Sequence, residues 1–165
     1  MSVPKEVTVE ADNTVSGKWT EIRQVTAPKL GACSVIAVYN KHGFVVSNIS
    51  AGENKEGLAA SKLCREYTRL KTSLFGSEAA MLWILYEQEN TAAGSTIKPA
   101  MMGIQPVQTF LQVYDGESFM AKTNDAGARF SLVCSAGIVR AALRRQDGRG
   151  VPVALSGTGM LVRCP

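Results

Sequence analysis

The chain has 165 residues, 45% apolar and 19% charged, with a formal net charge of +4. That describes an ordinary globular protein, long enough for one domain with a core that needs no disulfide or metal staples. The basic excess is too mild for a dedicated nucleic-acid binder, and no apolar run reaches the length of a membrane span, so no membrane partner is expected.

In chain order, the polar start "MSVPKEVTVEADN" has no apolar leader segment, so the expected compartment is cytoplasmic, where thiols stay reduced. "KEVTVEA" alternates and predicts a short strand, and "NTVSG" predicts a turn. "KWTEIRQVTA" predicts a second strand, ended by Pro28 and Gly31. "CSVIAVYN" and "FVVSNIS" predict two strands of a hairpin around "KHG", with Gly43 able to supply a positive φ. "GENKEG" leads into a helix, because Leu63, Tyr67, Leu70 and Leu74 recur on one face before Gly76. "AAMLWILYEQ" reads as a strand buried on both faces.

The stretch "ENTAAGSTIKPAMMG" reads as a loop, with Met101 and Met102 either packed on the body or forming an adaptable contact surface. "QPVQTFLQVYDG" reads as a second helix with Pro106 at its N-terminus. "ARFSLVCS", "IVRAALRR" and "VPVALS" read as terminal strands, although residues 137–146 also fit a helical period. The expected architecture is a single-domain α/β sandwich over residues 1–165, one mixed sheet with two main helices mainly on one side.

Four cysteines are present, none in a CxxC pair or at zinc spacing, so neither a structural metal nor a cofactor is expected. Cys64 and Cys134 sit in apolar patterns and read as core, and Cys164 as an incidental thiol.

Cys33 differs from these. It follows a small-residue turn, "LGAC", and heads an apolar strand with a tight turn and a return strand. This hairpin, and the later order of elements, resembles the CheD-type chemoreceptor glutamine deamidases and the catalytic domain of the cytotoxic necrotizing factor toxins. The resemblance implies a cysteine nucleophile at Cys33. It also implies a histidine on the return strand that takes the thiol proton, and an orienting residue near Thr26. Such chemistry needs both reacting groups within hydrogen-bond reach, because cysteine alone is only a few per cent thiolate at neutral pH.

The base position falls near Asn48, fifteen residues beyond Cys33, and asparagine cannot hold a proton near neutral pH. The chain's single histidine, His42, lies in the hairpin turn, on the order of 20 Å from Cys33 at strand rise. Three readings follow: a non-catalytic descendant of a deamidase-like fold, a cysteine-dependent protein-glutamine deamidase or related amidohydrolase with another base, or a strand cysteine with no chemical role.

Arg140, Arg144, Arg145 and Arg149 gather around "RRQDGRG", with Arg129 and Arg163 nearby. Arginine suits bidentate contact with phosphate or carboxylate. The cluster reads as an anion-binding surface for RNA backbone or a neighbouring subunit, or as a solvated hairpin end. The leading expectation is a structural or interaction protein, a homo-oligomer and in one form a coat-like virion component.

Overall fold

The structure, a computed structural model, describes residues 5–52, 54–115, 127–145, 153–154 and 162–165. Ten strands and two α-helices are described along these segments. They are β1 (Lys5–Thr8), β2 (Asn13–Lys18), β3 (Ile22–Leu30), β4 (Ser34–Tyr39), β5 (Gly43–Ile49), α1 (Lys55–Leu70), β6 (Met81–Glu87), α2 (Thr91–Met101), β7 (Gln108–Tyr114), β8 (Ala128–Ser135), β9 (Ile138–Arg145) and β10 (Val153–Ala154).

The fold is mixed α/β with two helices, and it holds two sheets where one was expected. The first runs β1-β3-β8-β9-β10 and the second β2-β5-β4-β6-β7. Side-chain alternation shows how they stack. On β4, Val35, Ala37 and Tyr39 join one core with Val25, Phe130, Leu132 and Leu143 of the first sheet. Ile36 and Val38, on the other face, join a second core with Leu63 and Tyr67 of α1 and Ile97 and Met101 of α2. The second sheet is therefore the middle layer, covered by the first sheet on one side and by helices on the other. A strand buried on both faces is apolar along most of its length, which is why β4 and β6 read as nearly continuous apolar runs, while β5 adds the buried Ser47 and Asn48.

The β4–β5 hairpin forms as expected, in a register pairing Tyr39 with Phe44 and Ser34 with Ile49. Gly43 serves close approach rather than a positive φ: a Cβ there would collide with the Gly17 carbonyl oxygen and the Leu74 side chain. Asn40 closes the turn, its Oδ1 accepting the His42 N–H at 2.8 Å while its Nδ2 donates to the Phe75 carbonyl at 2.8 Å.

Four expectations are corrected. The segment read as a turn at "NTVSG" is β2, which pairs antiparallel with β5 from Asn13↔Asn48 to Lys18↔Gly43. β3 runs past Pro28 to Leu30, because a register shift between Ala27 and Leu30 absorbs the proline and Lys29, whose φ is 56°. The segment read as a loop is α2: Ala93, Ile97 and Met101, spaced by four, are each fully buried against α1 and β6. The segment read as a second helix is β7, parallel to β6 from Met81↔Gln108 to Glu87↔Tyr114. There the alternation of Phe110 and Tyr114 against Leu111 and Val113 outweighs the Pro106 signal. Residues 138–145 form a strand, which sets aside their helical alternative.

Cys134 is buried and joined to Cys164 by a disulfide, so neither is the free thiol expected. The bridge fastens residues 162–164 beside β9, where Val139 N–H donates to the Val162 carbonyl and Cys164 N–H to the Gly137 carbonyl. No helix among the described residues is long and apolar enough to cross a membrane.

Candidate functional site

Cys33 immediately precedes β4, half-buried, with a free thiol. Val35 stands opposite Asn48 across the β4–β5 pair. With a period of two along a strand, Cys33, Val35 and Asn48 share the face turned to the first sheet. The hairpin thus brings the cysteine and the base position of the resemblance to one end of one face.

Asn48 is 1% exposed, and its side chain is already engaged. Its Nδ2 donates to the Val9 carbonyl at 3.0 Å. Its Oδ1 is buried without a hydrogen-bond partner, so no bond links the amide to the Cys33 thiol. The thiol itself is pushed up from the ordinary cysteine range, first by burial and then by the Asp12 carboxylate; the backbone at Gly31 and Ala32 and the Lys55 ammonium oppose this without reversing it. Tyr114 reaches over from β7 and donates its hydroxyl to the Cys33 carbonyl at 2.8 Å. Burial, followed by the Cys33 and Glu87 charges, pushes that phenol up as well, so it acts as a hydrogen-bond donor rather than a base.

A polar cluster from three separate chain segments lies at the same end. Asp12, with a φ of 64°, donates its N–H to the Asn48 carbonyl at 2.6 Å. Its carboxylate accepts the Ser50 N–H at 3.0 Å and the Ser50 hydroxyl at 2.7 and 2.9 Å, and it lies 3.4 Å from the Lys55 ammonium. Lys55 also donates to the Ser50 hydroxyl at 2.7 Å. The Ser50 hydrogen bonds hold the Asp12 carboxyl below the usual carboxylate range. A charged Lys55 beside a charged Asp12 cannot take the Ser50 proton, so this trio is a clasp between β2, β5 and α1 rather than a nucleophile with its base. A groove of about 370 Å³ opens beside it, floored by Thr14 and Ser47, whose hydroxyls lie 2.7 Å apart. The sequence offered no local signal for Asp12, Ser50 or Tyr114, because their meeting depends on pairings across distant segments.

The remaining candidates lie elsewhere. His42 is exposed at the opposite end of the hairpin, in the turn. Thr26 is buried on β3, where its neighbours Val25 and Ala27 face the inter-sheet core, so its own side chain faces outward. There its hydroxyl meets Ser131 at 3.1 Å and Glu6 at 3.2 Å, and it is not brought to Cys33.

Of the arginine cluster, the side chains of Arg140 and Arg144 are described. Val139 and Leu143 of β9 point inward, which places Arg140 and Arg144 on the outer side of the first sheet. Arg149 lies outside the described residues. Arg144 stands directly across from Arg129 of β8. The Nε of Arg129 is buried without a hydrogen-bond partner. Among the described residues no group of three or more His, Cys, Asp and Glu side chains is placed to hold a metal ion.

Fold and site together define an α/β protein of two packed sheets and one helical layer, with a half-buried cysteine at the mouth of its central hairpin. No family model matches the chain, and neither does any curated protein. Among solved structures, the C-terminal domain of CNFy from Yersinia pseudotuberculosis is similar at a TM-score of 0.43 and 13% identity, over 95% of this chain and 59% of that one. The likeness is a distant one of fold, and this chain spans little more than half of that domain's length.

Proposed function

We propose that the chain is a non-catalytic interaction protein on a deamidase-like fold, working as a coat-like homo-oligomer that touches RNA backbone without reading its sequence. The observation that carries this is Asn48. It occupies the strand position from which a base would have to serve Cys33, it is bound to the Val9 carbonyl instead, and the thiol beside it is raised rather than lowered. A nucleophilic cysteine needs the reverse arrangement. Arg140 and the cross-strand pair Arg129 and Arg144 support the anion contact. Like charges placed directly opposite on a sheet are unfavourable unless an anion lies between them. A cytoplasmic location belongs to the same proposal and requires Cys134 and Cys164 to be reduced there, since disulfides persist mainly in oxidising compartments.

The test is ammonia release from protein glutamine by the full chain, with Cys33→Ser as control. No release is expected. Release abolished by Cys33→Ser would overturn the proposal and establish a glutamine deamidase. Light scattering after size-exclusion chromatography, with and without RNA, tests the partners. Binding should weaken with salt at a slope of at most about 0.7 to 0.9 per phosphate contacted. Arg140→Glu with Arg144→Glu should abolish it while the fold stays intact.

A further inference from the structure

The two sulfurs of the Cys134–Cys164 bridge stand in different surroundings. Cys134 is 4% exposed and packs in the inter-sheet core, whereas Cys164 is half-exposed beside β9. Arg23 of β3 separates them further. Its Nη1 donates to the Cys134 Sγ at 2.8 Å and to the Pro165 carbonyl at 2.6 Å. No carboxylate side chain pairs with Arg23 among the described residues. Arg23 and Cys134 line a hollow of about 440 Å³ together with Lys5, Glu6 and Gln24. The Glu6 carboxylate is engaged elsewhere, accepting the Gln24 amide and the Thr26 hydroxyl at 3.2 Å each.

A disulfide sulfur is a weak acceptor and gains little from a neighbouring cation. A thiolate gains much, because the contact becomes a charge-assisted hydrogen bond. In thiol–disulfide exchange an attacking thiolate bonds to one sulfur and expels the other. The rate depends on access to the first and on how readily the second departs as a thiolate. Here the accessible sulfur and the cation-supported sulfur are opposite members of one bridge.

We infer that Cys134–Cys164 is a thiol–disulfide exchange site, attacked at Cys164 by a dithiol, with Arg23 holding Cys134 as it departs. A thiolate of the dithiol bonds to the Cys164 Sγ, the Cys134–Cys164 bond breaks, and its electron pair leaves on the Cys134 Sγ beside the guanidinium. The second thiolate of the dithiol then displaces Cys164 from the mixed disulfide. The dithiol is oxidised to a disulfide, and the bridge is reduced by the same two electrons. Of the dithiol's two protons, one passes to Cys164 and the other to solvent. The partner is a dithiol because the Cys134 thiolate, kept in place by Arg23, re-forms the bridge against a monothiol; a tethered second thiol outruns it. Residues 162–165 otherwise lie against β9 through the Val139 N–H bond to the Val162 carbonyl at 2.9 Å and the Cys164 N–H bond to the Gly137 carbonyl at 3.0 Å. Exchange therefore sets this segment loose from Gly137–Val139. The site involves neither Cys33 nor the arginines of β9, so it stands or falls apart from the function proposed above.

The test is reduction of the folded full chain by dithiothreitol, read by alkylation and mass analysis, beside the Arg23→Gln and Arg23→Lys variants. A short pulse of the monothiol 2-mercaptoethanol, quenched in acid, maps the sulfur attacked first in the unmodified protein, whatever the variants do to the fold. The adduct is expected on Cys164, and reduction is expected to proceed without denaturant. Arg23→Gln should slow it by about tenfold, and Arg23→Lys should recover most of the rate. A guanidinium that only fastened Pro165 would give the reverse, since its loss would loosen residues 162–165 and speed reduction. An adduct on Cys134, an unchanged or raised rate in folded Arg23→Gln, or a bridge that opens only in denaturant overturns the exchange site and leaves a structural fastening.

Discussion

Asn48 and Cys33 occupy one strand face, and no hydrogen bond joins the Asn48 amide to the Cys33 thiol. An amide in that place donates to the Val9 carbonyl and leaves the thiol in a half-buried setting that favours its neutral form. The sign of the effect can be read directly. A raised thiol pKa means that the reactive thiolate accumulates only above the ordinary cysteine range near pH 8.5, so alkylation of Cys33 by iodoacetamide should rise late with pH. Asn48→His places an imidazole on the same face, and the inflection of that rate profile should then move to lower pH. An unmoved profile in a folded variant would count against any kinship of this hairpin with a catalytic one. Cys64 serves as the internal reference: its thiol is also raised by burial, and the substitution should leave it alone.

At the scale of elements, α2 and β7 decide most about the surface. Both form where local signals pointed the other way. Gly94 and Pro99 lie inside α2 and argue against a helix, each at a cost to helix propensity. The helix holds because Ala93, Ile97 and Met101 fill the space between α1 and β6, and burial of that row outweighs the poor propensity. Ile97 is the central residue of the row and is fully buried. Ile97→Ala should therefore lower the free energy of unfolding by roughly 2 to 5 kcal/mol, as buried large-to-small changes do. Urea denaturation with unchanged slope would report it, and a change below about 0.5 kcal/mol would mean that the segment is not packed this way. The same packing sets β7 beside β6.

For the whole molecule, the layers are held from two sides. The Asp12–Ser50–Lys55 clasp ties β2, β5 and α1 at one end, and the Cys134–Cys164 bridge fastens residues 162–165 onto the first sheet. Arg23 reinforces the second fastening, its Nη1 donating to the Pro165 carbonyl at 2.6 Å. The bridge spans 30 residues of chain, for which loop closure in the unfolded state is worth about 3 to 4 kcal/mol. Reduction should lower the urea midpoint accordingly, and the Val139 amide, which bonds to Val162, should lose its protection from exchange. An identical midpoint in oxidised and reduced protein would show that the bridge contributes nothing to the fold.

By itself the sequence determined the features whose cause is local. Continuous apolar runs marked β4, β5 and β6, and the Asn40–Gly43 stretch fixed their hairpin. The spacing of Leu63, Tyr67 and Leu70 marked α1. The place of Asn48 beside Val35, on the face that Cys33 shares, was also legible, because a strand pair of known turn sets it by counting. Tertiary structure alone decided the rest. Alternation shows that a strand has two faces but not which strand will lie beside it, so neither the division into two sheets nor the outward turn of Thr26 could be read in advance. The uncharged segment from Pro99 to Tyr114 carried signals for both helix and strand, and its halves were settled only by where α1 and β6 offered something to pack against. The Cys134–Cys164 bridge and the meeting of Asp12, Ser50, Lys55 and Tyr114 around Cys33 belong to the same class. Each joins residues far apart in the chain, and their proximity is a product of sheet register rather than of any local pattern.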